Sequence, residues 1–143
     1  MLFAHAIMDG QPIKVFNHGD MQRDFTYVDD VVEGTLRVLD DPATPEPAFD
    51  ASEPDPATSW APWRIYNIGN HQPIGLLDYI AALERALGKQ AIKQFEPMQP
   101  GDVRSTFADT RRLDGAVGFT PSTPLEEGLA RFAQWFKRYY GYA

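Results

Sequence analysis

Arg23 stands in the run Gly19-Asp20-Met21-Gln22-Arg23-Asp24-Phe25-Thr26-Tyr27-Val28-Asp29-Asp30, which reads as a turn, a strand and a helix start in quick succession. A planar guanidinium beside a strand edge can give two parallel hydrogen bonds to a phosphate or a carboxylate. A second loop arginine, Arg104, follows Gly101-Asp102-Val103. The Asp102 carboxylate can accept bonds from ligand hydroxyls, or it can bond its own backbone, as aspartate does in loops. Arg23 has a bland account too. Asp20, Asp24, Asp29 and Asp30 surround it in sequence, so a surface ion pair and acids at a helix N-terminus would explain the same residues, at up to about 1 kcal/mol each. On pattern alone that account is the simpler. Trp60, Trp63 and Tyr66 can stack on a base or a sugar, or can pin a proline-rich loop to the core.

Other chemistries lack a signature. His5, His18 and His71 are too dispersed for a local metal motif, and neither HExxH nor an EF-hand loop occurs. No Gly-x-Ser-x-Gly elbow is present. Zero cysteines remove disulfides, thiolate metal sites and cysteine nucleophiles together, which fits a cytoplasmic protein. A net charge of −7 disfavours nucleic-acid and anionic membrane surfaces. No apolar run approaches the roughly 20 residues of a membrane span. Any anionic ligand must therefore be held by a local cluster.

With 143 residues, 43% of them hydrophobic and 23% charged, the chain has the size and composition of one globular domain. Residues 1–10 read as a helix stopped by Gly10, with no N-cap residue before it, as in a piece of something longer. Strands are expected at Ile13–Phe16, Phe25–Val28, Arg64–Gly69 and Ala91–Glu96. Asp29 is the expected N-cap of a helix to Leu39, with Val32, Leu36 and Leu39 as its apolar stripe. Residues 42–63, rich in proline, read as one long loop. Further helices are expected around 77–87, closed by Gly88, and over 109–118. The last helix should begin with a capping box at Thr123-Pro124-Leu125-Glu126 and carry Leu125, Leu129, Phe132, Phe136 and Tyr139 along one face. The fold class is a small mixed α+β lobe.

Four motifs in order, Ile13-Lys14-Val15-Phe16 with Arg23-Asp24-Phe25-Thr26-Tyr27-Val28-Asp29-Asp30-Val31-Val32-Glu33-Gly34, Ala61-Pro62-Trp63-Arg64-Ile65-Tyr66-Asn67-Ile68-Gly69-Asn70, Pro97-Met98-Gln99-Pro100-Gly101-Asp102-Val103 and Ala108-Asp109-Thr110, closely resemble the C-terminal part of nucleotide-sugar epimerases of the extended short-chain dehydrogenase family. The likeness is nearest to UDP-glucuronate 4-epimerases and runs over nearly the whole chain. It implies a two-lobe enzyme with NAD held in a Rossmann lobe, of which residues 1–143 form the single domain that grips a UDP-sugar. The family's GxxGxxG and Tyr-x-x-x-Lys are absent here, so the chain alone is expected neither to bind NAD nor to turn over.

The resemblance implies that Arg23 contacts the UDP diphosphate, that backbone groups of Lys14 and Phe16 border the uracil, and that Asp102 accepts from the ribose hydroxyls. Galactose-type relatives carry a second phosphate arginine where this chain has Gln99, which suits the uronate branch. Arg104 is the expected substitute. A lobe without its partner would expose apolar surface through which it could self-associate. The alternatives are a lobe of a related dehydratase or decarboxylase and a stand-alone binding module.

Overall fold

The computed structural model describes residues 1–142. In chain order the elements are α1 (Leu2–Met8), β1 (Pro12–Val15), a 3-10 turn (Phe16–Gly19), β2 (Gln22–Asp24), α2 (Val28–Asp40), β3 (Pro73–Gly75), α3 (Leu76–Leu87), β4 (Ile92–Phe95), α4 (Arg111–Val117) and α5 (Leu125–Tyr140). β1 and β4 pair in parallel, Ile13 opposite Lys93 and Val15 opposite Phe95, and β2 pairs antiparallel with β3, Arg23 opposite Ile74. Among the described residues, four short strands and five α-helices match the mixed α+β expectation. The described residues pack as two compact units: residues 1–25, 72–107 and those from 123 onward make one, and residues 26–71 and 108–122 the other.

The first unit holds an apolar core. On α5, Leu129, Ala133 and Phe136 recur at helical spacing and are buried, as are Ile80, Leu83 and Leu87 on α3. Ala4 and Ile7 of α1 and Ile13 and Val15 of β1 complete the cluster. Beside it, Glu84 is a buried carboxylate that accepts from Lys93 Nζ at 2.5 Å and from the Ala91 N–H at 2.8 Å. Burial alone would raise its pKa; the bonds from Lys93 and Ala91 outweigh that and hold it below the usual range.

The second unit is built otherwise. Its long loop is tied by polar turns: Asp50 accepts from the N–H and hydroxyl of Ser52, and Asp55 from the Ala57 N–H. Ion pairs Arg64–Glu46 and Arg112–Asp55 add to these. Trp60 meets Phe49 edge-on with ring centres 5.2 Å apart, yet lies exposed, so it does not anchor the loop in a core. The α2 stripe faces outward, with Leu36 50% and Leu39 72% exposed.

Several boundaries differ from expectation. The strand expected at Phe25–Val28 forms instead at Gln22–Asp24, because those residues find a ladder partner in β3, a strand the sequence reading missed. The helix then starts at Val28 with Tyr27 as N-cap, not Asp29. Arg64–Gly69 joins no ladder among the described residues and stays irregular. The N-cap of α5 is Pro124, and the helix runs from Leu125, one residue later than a start capped by Thr123 would give. Tyr139 points to solvent and Ala133 takes a place in the core.

Candidate functional site

Within the first unit, the carboxyl ends of the parallel strands β1 and β4 lead into two loops, the first running on to Arg23 and the second carrying Gln99, Asp102 and Arg104. In open α/β sheets this is the end at which ligands bind. After β1 the chain turns sharply through Asn17 and His18, both left-handed at φ 48° and 50°, a conformation costly for residues with a Cβ and held only where the surroundings enforce it. The His18 N–H bonds the Glu96 carbonyl at 3.1 Å and Asn17 Nδ2 bonds the Asp20 carbonyl at 2.7 Å. Gly19 follows at φ 86°, where a Cβ would meet the Leu77 side chain at 2.7 Å. Glycine is required at that position by both angle and space.

The ladder fixes the edge on which Lys14 and Phe16 present their backbones. The Val15 carbonyl accepts the Glu96 N–H at 3.0 Å, facing β4. Backbone groups alternate sides along a strand. Those of Lys14 and the N–H of Phe16 therefore face the other edge, where β1 has no strand neighbour among the described residues. A carbonyl at one residue and an N–H two positions on is the pair a parallel strand offers to one amide of its neighbour. The same pair fits any planar group with an adjacent donor and acceptor.

Arg23 and Asp102, 79 residues apart in sequence, are bonded directly, Nη2 to Oδ1 at 2.9 Å. Their side chains are 29% and 30% exposed. Arg23 Nη1 also donates to the carbonyls of Gln22 at 2.7 Å and Arg104 at 3.3 Å. The loop carrying Asp102 is held to β2 by the Gln22 N–H, which donates to the Arg104 carbonyl at 2.8 Å. Asp102 Oδ1 accepts the Val103 N–H as well. The local-turn role of Asp102 and a pairing role for Arg23 thus both occur, but the arginine's partner is not one of its sequence neighbours. Arg104 turns away to Asp20, 2.9 Å from its carboxylate, and both side chains are largely exposed. Gln99 is exposed, and its carbonyl accepts the Asp102 N–H at 3.2 Å. The structure brings Arg23, Asp102 and the Arg104 backbone into one hydrogen-bonded cluster, while the Arg104 guanidinium is engaged elsewhere.

The second unit has a cleft that sequence reading did not find, about 460 Å3 in volume and lined by Ala57, Ile65, Asn67, Asp109, Arg111 and Arg112. Its cations are matched by acids. Arg111 bonds both oxygens of Asp109 and holds that carboxyl well below the usual range, and Arg112 pairs with Asp55. The adjacent arginines at 111 and 112 were the available signal, and pairing leaves the cleft nearly neutral. Among the described residues no group of acids and histidines could hold a metal ion, and no helix is long and apolar enough to cross a membrane.

Residues 1–69 match the model of the NAD dependent epimerase/dehydratase family. The chain is 44% identical over 138 residues to Protein CapI of Staphylococcus aureus, aligning 96% of this chain with 41% of that protein. It is 41% identical over 142 residues to the probable UDP-glucuronate 4-epimerase of Rhizobium meliloti (strain 1021), with 96% and 41% of the two chains covered. The crystal structure of UDP-glucuronic acid 4-epimerase from Bacillus cereus in complex with UDP-glucuronic acid and NAD superposes with a TM-score of 0.73 at 27% identity, covering 96% of this chain and 39% of that one. The chain spans about two fifths of the length of these proteins.

Proposed function

We propose that the chain is a C-terminal part of an extended nucleotide-sugar epimerase of the NAD dependent epimerase/dehydratase family, and that it is the UDP-sugar-binding part of a UDP-glucuronate 4-epimerase. The observation that carries the reading is the Arg23–Asp102 cluster at the carboxyl end of the β1–β4 pair, next to the turn that follows β1.

Each part has a chemical role. The carbonyl of Lys14 and the N–H of Phe16 match the adjacent donor and acceptor on one edge of uracil. Arg23 gives charge-assisted bonds to the diphosphate, worth about 1.5–3 kcal/mol. An ionised Asp102 accepts from the ribose hydroxyls. Arg104 is the second cation of this reading: its ion pair with Asp20 is exposed, and such pairs contribute about 0–1 kcal/mol and exchange readily for a phosphate. Gln99 adds a neutral amide where a further charge would otherwise stand.

NAD would supply the hydride acceptor at the sugar C4 in such an enzyme. The residues of this chain do not fit it. No GxxGxxG or Tyr-x-x-x-Lys occurs in the sequence, and Gly19, the glycine of the turn after β1, is closed by Leu77 and opens no cradle for a pyrophosphate. The share of this chain is binding and orientation of the nucleotide end.

Calorimetry with UDP and UDP-glucuronate tests the reading. Weak binding is expected, on the order of millimolar or about −4 kcal/mol, and Arg23→Ala should abolish it. Absence of UDP binding at millimolar concentration, or an Arg23→Ala variant that binds as the wild type does, would overturn the assignment.

A further inference from the structure

We infer that Asp102 is a positioning residue for Arg23 in addition to a ligand acceptor, so that the contacts to ribose and to phosphate form one coupled unit. The inference rests on the reading of Arg23 as the diphosphate contact. Its basis is how the donors and acceptors of the pair are divided. Arg23 Nη1 is held by the carbonyls of Gln22 and Arg104, and Nη2 by Asp102 Oδ1. Three acceptors on two nitrogens fix the plane of the guanidinium. The Nε–H and the second Nη2–H carry no bond from the described residues and are the donors left for a ligand. Asp102 is divided in the same way. Oδ1 takes both Arg23 and the Val103 N–H, at 2.9 and 2.8 Å, and Oδ2 is left for hydroxyls.

This arrangement lets each side chain hold its partner and its ligand at once. An arginine on a surface strand would otherwise sample many rotamers and lose that freedom on binding, at a cost to affinity. Two of the three restraints come from backbone, which fixes where the side chain starts. Asp102 is the only side chain among the three, so it is the one a substitution can remove. The opposing effect is charge: a carboxylate next to Arg23 also repels an anion. The two effects predict opposite signs when Asp102 is removed.

Pyrophosphate separates them, because it has no ribose. We would titrate the 143-residue chain with pyrophosphate and with UDP, following the Arg23 Nε–H by NMR, in wild type, Arg23→Ala, Asp102→Ala and Asp102→Asn. Asp102→Ala should weaken pyrophosphate about fivefold, the size of a coupled pair. Asp102→Asn keeps an oxygen for Nη2 and should remain within about twofold of wild type for pyrophosphate while losing affinity for UDP. Without ligand, the Arg23 Nε–H signal should move to the position of a freely rotating arginine in Asp102→Ala only, a readout that ribose contact would leave untouched. Unchanged or tighter pyrophosphate binding by Asp102→Ala, with Arg23→Ala still abolishing it, overturns the positioning role and leaves the diphosphate reading intact. Wild type that binds neither ligand, or Arg23→Ala that binds both, overturns the diphosphate reading itself.

Discussion

α5 in the first unit and α2 in the second are both amphipathic helices, yet they use their apolar faces in opposite ways. α5 turns Leu129, Ala133 and Phe136 into a core shared with α1, α3 and β1, and Phe136 is 0% exposed. α2 buries only Gly34, which packs against Phe119 and Ile68, and sends Val28, Val32, Leu36 and Leu39 outward. Apolar burial stabilises by roughly 25 cal/mol per Å2, so the first unit draws its stability from its helices. The second relies on turn hydrogen bonds and ion pairs around its long loop. The candidate site sits on the unit with the core, where strand ends and their loops can be held to the tolerance that ligand contacts need.

The sharpest way to break the comparison is to truncate one side chain in each helix. Phe136→Ala should cost about 3–5 kcal/mol, the range for a buried aromatic. Leu36→Ala should stay within about 0.5 kcal/mol, as for an exposed position. Urea unfolding monitored by circular dichroism checks both. Equal losses would mean that α2 is covered to the same degree as α5, and the contrast would fail.

Next in size is the buried ion pair beside the core. Lys93→Met leaves the Glu84 carboxylate with only the Ala91 N–H, and a buried charge left without its partner is strongly destabilising. Lys93 is itself 28% exposed, so water can replace part of its contribution, and about 2 kcal/mol is expected. The sign with pH follows from the lowered pKa of Glu84. The pair stabilises above the ordinary carboxylate value near 4.5 and is lost as pH falls through the lower folded value. The gap between wild type and Lys93→Met should therefore be full at pH 7 and narrow in acid. A gap that widens in acid would assign the effect to packing of the lysine stem.

Much of the first unit is legible in sequence because its signals are local. The spacing of Ile80, Leu83 and Leu87 and the left-handed Gly88 mark α3 without reference to any partner. β2 is not legible, since Gln22-Arg23-Asp24 becomes a strand only when Pro73–Gly75 arrives beside it. The start of α2, with Tyr27 and not Asp29 as its N-cap, shows a capping residue overruled in the same way, by where the chain is led. In the site, Arg23 and Asp102 were singled out as ligand contacts from their motifs, but no pattern pairs residues 79 apart. The partner of Arg104, Asp20, lies still further away, at 84. Ion pairing of this kind depends on loop placement, which sequence spacing does not encode.

The smallest effect expected is local and belongs to the second unit. Asp50 and Asp55 both have lowered pKa values, Asp50 through the Ser52 hydroxyl and N–H, Asp55 through the Ala57 N–H and then Arg112. A carboxylate with a depressed folded pKa stabilises above its ordinary value, near 3.8 here, and the stabilisation disappears as pH falls through the folded pKa. Between pH 7 and 5 nothing should change; in stronger acid the turns at Ser52 and Ala57 should loosen. Because the acids are exposed, the change should appear as local opening and leave global unfolding unmoved. Hydrogen exchange at the Ser52 and Ala57 amides, corrected for intrinsic rates, reads it directly. Asp55→Asn keeps an oxygen acceptor for the Ala57 N–H without a titrating group, so protection at Ala57 should become independent of pH while that at Ser52 still falls. If wild-type protection at both amides stays flat down to the pH at which the α5 amides open, polar turns do not hold this loop, and the distinction between the two units loses its second half.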